Sequence, residues 1–74
     1  MKTAEEIRVR AKSVLKHSFR HYENGNKTLA ERNEARYDAL CWVLGIVGTE
    51  EDDALWEEAQ VEYEQTKEQD HETD

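Results

Sequence analysis

The stretch ALCWVLGIVGTEED, residues 39–52, decides the fold. It opens on an apolar run from Ala39 to Val47, interrupted at Gly45, then passes Gly48 and reaches Thr49-Glu50-Glu51-Asp52. The run is far short of the roughly 20 apolar residues that a membrane span needs. It is apolar on nearly every side, so it reads as the covered end of a helix, with Gly48 as the stop. Thr49 then reads as a helix start. Its oxygen can accept an orphan backbone N–H, and the acids after it suit the positive end of a helix dipole.

The same start signal recurs at Thr3-Ala4-Glu5-Glu6 and Thr28-Leu29-Ala30-Glu31. Glu23-Asn24-Gly25-Asn26-Lys27 is a polar loop suited to left-handed backbone after a helix. The chain has no proline and is rich in good helix formers. The reading is an all-α, compact three-helix arrangement, with helices near 4–23, 29–47 and 50–66. Residues 1–66 are expected to form a single helical domain. Residues 67–74 have nothing apolar to bury and are expected to form a short, disordered acidic tail.

Seventy-four residues allow one domain, near the lower size limit for a self-sufficient core. Cys41 is the only cysteine, so no internal disulfide staples it. No charged start followed by an apolar run marks a secretory signal. The expected setting is cytoplasmic, in a bacterial cell or a virus-infected host cell, with no membrane association.

The net charge of −8 disfavours general binding to duplex nucleic acid. That average hides a division. Residues 1–36 hold nine Lys or Arg against five acids, a net of +4, while residues 37–74 hold one Lys against thirteen acids, a net of −12. Such an asymmetry bears on partners, whether within one chain, between copies or elsewhere.

Periodicity places these charges. In helix 1, Ala4, Ile7, Ala11, Val14, Leu15, Ser18 and Tyr22 form an apolar stripe with Phe19 at its edge. Arg8, Lys12, Lys16 and Arg20 form a basic stripe beside it, either a grip for a phosphate-bearing or acidic partner or a face for the acidic helices and solvent. In helix 3, Leu55, Trp56, Ala59 and Tyr63 form a narrow apolar stripe, with Val61 off it. Glu57, Glu58, Glu62 and Glu64 crowd the other side, as a solvated face or as an imitation of nucleic-acid phosphates. Trp56 is a candidate anchor for a partner.

Helix 2 raises a different issue. Two partner helices cannot cover an all-round apolar run. The expected remedy is a homodimer or higher oligomer through Tyr37, Leu40, Trp42, Val43, Ile46 and Val47, with Trp42 buried in the fold or at that contact.

No pattern carries catalysis, and neither a metal nor a cofactor is expected. His17 and His21 have the i, i+4 spacing of metal ligands but lack a third and fourth partner, so they read as surface residues suited to the negative end of helix 1. Cys41 lies inside the apolar run and reads as a small buried hydrophobe rather than a nucleophile. The size, acidity, capped helices and lack of catalytic motifs are similar in general character to small accessory proteins of bacteriophages, a likeness carried by no motif. The leading reading is a non-enzymatic helical protein-interaction module, an accessory protein of phage or mobile-element type, that binds or inhibits a host macromolecule. The alternatives are an acidic nucleic-acid mimic blocking a host enzyme, and an oligomer that holds a small phosphate-bearing ligand on helix 1.

Overall fold

The structure is a computed structural model that describes the backbone of residues 3–73 and the side chains of residues 3–66. Its elements are α1 (Ala4–Glu23), α2 (Lys27–Leu44) and α3 (Glu50–Thr73). The acidic tail expected from Lys67 onward lies outside the described side chains. Among the described residues no helix is long and apolar enough to cross a membrane.

The first start is as the sequence predicts. Thr3 caps α1, its hydroxyl oxygen accepting the Glu6 N–H at 3.1 Å. The end of α1 closes on Gly25 at φ +80°, where Gly25 N–H bonds to Tyr22 O and Asn26 N–H to His21 O at 2.8 Å. Those paired bonds turn the chain at once into α2, which therefore begins at Lys27, two residues before the expected start. Thr28 is not the cap. It lies inside the helix, behind Asn26, and no side chain caps this end.

The other end of α2 also differs from expectation. Gly45, not Gly48, stops the helix, with φ +73° and its N–H on Trp42 O, while Ile46 N–H bonds to Cys41 O at 3.0 Å. This pairing of bonds over a left-handed glycine satisfies carbonyls that the helix end would leave bare. A side chain at position 45 would make that backbone conformation costly by roughly 1–2 kcal/mol. The stop frees Ile46 to fold back into the core from the loop. Thr49 acts unlike a simple cap too: its hydroxyl donates to Ile46 O at 2.6 Å, while Asp52 reaches back to the Gly48 N–H at 3.0 Å.

Packing centres on α1, which lies against both other helices. Its buried stripe is Ala11, Val14, Leu15 and Ser18; Ala4 and Tyr22, at the ends of the expected stripe, are exposed. Ser18 is fully buried and donates to Ala30 O at 3.1 Å, so two small residues meet where α1 and α2 approach. From α2 come Tyr37 and Cys41, and from α3 come Leu55 and Ala59. The links between α1 and α3 advance in step, from Arg8–Glu51 to Lys16–Glu62 to Phe19–Tyr63, so these two helices run parallel. α2 runs antiparallel between them in sequence, giving an up-down-up bundle.

Candidate interaction surface

At 3.6 residues per turn, α2 can turn only one side of its apolar half toward α1 and α3. That side carries Tyr37, Cys41 and the partly buried Leu44. Val43 and Trp42 follow Tyr37 by six and five residues and fall on other sides. Val43 is 61% exposed and Trp42 is 78% exposed. Val47, carried past the helix end by the stop at Gly45, is 56% exposed.

Of the six residues expected at an oligomer contact, Tyr37 and Ile46 are therefore inside the chain's own core, where they cannot meet a second molecule. Leu40 is half-buried, and Trp42, Val43 and Val47 stand at the surface. Trp42 is not buried in the chain's own fold, which leaves the subunit contact as its expected place. Trp56 is half-buried, with its ring 5.5 Å from Phe19 and 5.8 Å edge-on from Tyr37. It closes the core rather than anchoring a partner.

The reason Tyr37 turns inward is chemical as well as steric. Its hydroxyl, in a buried environment, donates to the Asp52 carboxylate and lies 3.0 Å from the Asp52 carbonyl. Burial first, then the Asp52 hydrogen bond, pushes the phenol far above its ordinary pKa, so it stays a donor. Cys41 Sγ lies 3.8 Å from the same carboxylate. Burial pushes the Cys41 thiol up, which disfavours the thiolate a nucleophile needs. Asp52 thus ties the start of α3 to α2 through the Tyr37 hydroxyl and to the intervening loop through the Gly48 N–H.

On the other flank of α1 the charges meet. Lys12 Nζ and Lys16 Nζ share the Glu62 carboxylate at 3.0 and 2.9 Å, Lys12 also lies 3.8 Å from Glu58, and Arg8 reaches Glu51 at 3.3 Å. Hydrogen bonds from Lys16 and Lys12 hold the Glu62 carboxyl below its ordinary range, and the Glu62 hydrogen bond raises Lys12. Most of the basic stripe is thereby consumed within the chain. Arg20 has no ion pair among the described residues. Glu57 and Glu64 are exposed and likewise unpaired among the described residues. His17 is exposed beside a polar cleft with Lys16 and Arg20, away from the buried Cys41. Among the described residues no three His, Cys, Asp or Glu side chains gather as a metal site would require.

One feature of this surface involves residues that the sequence reading passed over. Along the outer seam of α1 and α2, two open clefts join through Arg10 and Leu40. Their lining includes Ile7, Val14, Leu40 and Val43, with Glu6 and Arg10 from α1 and Arg36 from α2. Val9, 56% exposed, borders one end. The available signal was spacing. Arg10 and Val14 lie at i, i+4, and Arg36, Leu40 and Val43 at i, i+4, i+7. No family model, curated protein or solved structure matches the chain.

Proposed function

We propose that this chain is a non-enzymatic helical protein-interaction module whose working surface is the outer face of the apolar half of α2. The observation that carries the reading is Trp42. A tryptophan ring 78% exposed, with Val43 and Val47 exposed nearby in sequence, is apolar surface for which the folded chain has no use. Exposed apolar patches mark interaction sites, and tryptophan is enriched among residues that dominate binding. The ion pairing of Arg8, Lys12 and Lys16 leaves little of the basic stripe for a phosphate-bearing ligand. An acidic mimic would rely on Glu57 and Glu64, since Glu58 and Glu62 already face lysines.

A photo-crosslinking residue at Val47 tests the reading in the native cell. A discrete protein adduct is expected, lost when Trp42→Glu is added, with the thermal midpoint unchanged. The same residue at Gln65, on exposed α3 surface, should give no such adduct. Equal labelling from both positions, or an adduct indifferent to Trp42→Glu, overturns the reading.

A further inference from the structure

The groove between α1 and α2 differs from the salt-bridged flank that α1 turns to α3. Elsewhere on α1, Arg8, Lys12 and Lys16 have carboxylates within 4 Å, and on α2, Lys27 lies 3.9 Å from Glu31. Arg10 and Arg36 have no ion pair among the described residues, although the chain carries eighteen acids against ten Lys and Arg. They line, from α1 and from α2, the same cleft as the apolar Ile7, Val14, Leu40 and Val43, with Glu6 at its other end. In a chain of net charge −8, two guanidiniums against the single Glu6 carboxylate leave this cleft locally positive.

We propose that this groove seats an acidic amphipathic helix of a partner protein, with its apolar side chains on Leu40 and Val43 and its flanking carboxylates on Arg10 and Arg36. The proposal rests on the reading of the α2 outer face as the working surface, and it names the partner's chemistry. Guanidinium favours carboxylate through paired, planar hydrogen bonds, and a helix laid in a groove presents apolar residues at i, i+3, i+4 and i+7. The apolar lining argues against nucleic acid, which would place phosphates over Leu40 and Val43 with nothing there to receive them. A second copy docked about a twofold axis would bring Arg10 and Arg36 toward their own kind, under the repulsion of two chains of −8 each.

The test uses the full chain and two labelled synthetic helices. One has leucines at i, i+4 and i+7 flanked by glutamates; the other is identical except that lysines replace the glutamates. Fluorescence anisotropy should show binding of the glutamate helix, weakened at least tenfold by Arg10→Glu with Arg36→Glu and also weakened by 0.5 M salt. The same double variant should gain affinity for the lysine helix. Arg10→Gln with Arg36→Gln, which adds no charge, should weaken the glutamate helix without rescuing the lysine one. Circular dichroism and thermal midpoints establish that each variant is folded. Equal binding of both helices, or binding of the glutamate helix that ignores both double variants, overturns the proposal. So does a dimer in sedimentation that Leu40→Glu dissociates, since the groove then belongs to a second copy. If the glutamate helix fails to bind while the Val47 crosslink persists and still depends on Trp42, this proposal falls and the α2 reading stands. Loss of both removes the two together.

Discussion

Trp42 and Trp56 make the most instructive comparison in the molecule. Trp42 sits in the most apolar run of the sequence and stands 78% exposed. Trp56 sits in a helix dense with glutamate and packs between Phe19 and Tyr37. Local composition therefore does not decide which ring the chain's own fold covers. What decides is the angle at which each leaves its helix relative to the other two. Trp42 follows the core residue Tyr37 by five positions, well around the helix from it. Trp56 is adjacent to Leu55 and three residues before Ala59, both buried, so it inherits their direction.

Removing each indole in turn separates the two roles. Trp56→Ala should lower unfolding stability by about 3 kcal/mol, because it leaves a void against Phe19 and Tyr37. That is a large part of the roughly 5–10 kcal/mol expected of so small a domain. Urea unfolding followed by circular dichroism measures it. A loss below about 1 kcal/mol would mean that the aromatic cluster on α3 does not hold the fold.

A smaller effect tests why α2 turns Tyr37 inward and Trp42 outward. Tyr37 and Cys41 both face Asp52 at the start of α3. Asp52→Ala removes the carboxylate that receives the Tyr37 hydroxyl and the Gly48 N–H, and it also removes an acid from the positive end of a helix dipole. A cost of about 1–2 kcal/mol is expected. Tyr37→Phe should cost about 1 kcal/mol, and the double variant should cost less than the two together, since they share one contact. Strict additivity would show that the contact does not orient α2.

The elements whose cues are local were legible in the sequence. The Thr3 cap, the break at Gly25 and the start of α3 at Glu50 each depend on neighbours within a few residues. The ends of α2 were less so. Gly45 competes with Gly48 as a stop, and the sequence does not say which will be left-handed helix end and which a turn between helices. Ile46 settles the matter energetically, because stopping at Gly45 lets its side chain fold back beside Cys41. Likewise, the apolar excess of residues 39–47 was plain, but its division into Tyr37 and Ile46 inside against Trp42, Val43 and Val47 outside depends on where α1 and α3 lie. The groove flanked by Arg10 and Arg36 was invisible for the same reason: its walls come from different helices, and only their packing brings them together.

The α1–α3 seam supplies a weaker, pH-dependent contrast with the ungated apolar face. Lys16 and Lys12 hold the Glu62 carboxyl below its ordinary value of 4.5. Its contribution is therefore complete above the unfolded value and lost as pH falls through the lower, folded one. With the Glu62 side chain 39% exposed, solvent screening keeps the effect at no more than about 1 kcal/mol. Acidification from pH 6 to 3 should lower the thermal midpoint of the native chain more than that of Glu62→Gln. Identical acid sensitivity in the two would remove the seam from the account of stability.

The smallest expected change in stability is at Trp42, the residue on which the proposed function rests. Its indole touches too little of the fold to support it, so Trp42→Ala should alter unfolding stability by no more than about 0.5 kcal/mol. The two single-tryptophan variants separate the rings directly. With Trp56→Phe only Trp42 emits, and acrylamide should quench it strongly; with Trp42→Phe only Trp56 emits, and quenching should be weak. If Trp42 were shielded in solution at high protein concentration but not at low, a second copy would be covering it, and the surface proposed for a partner would be an interface between like chains. If it stays accessible across that range, the exposed indole belongs to the free monomer. Its small share in stability then sets it apart from Trp56, whose removal should loosen the whole bundle.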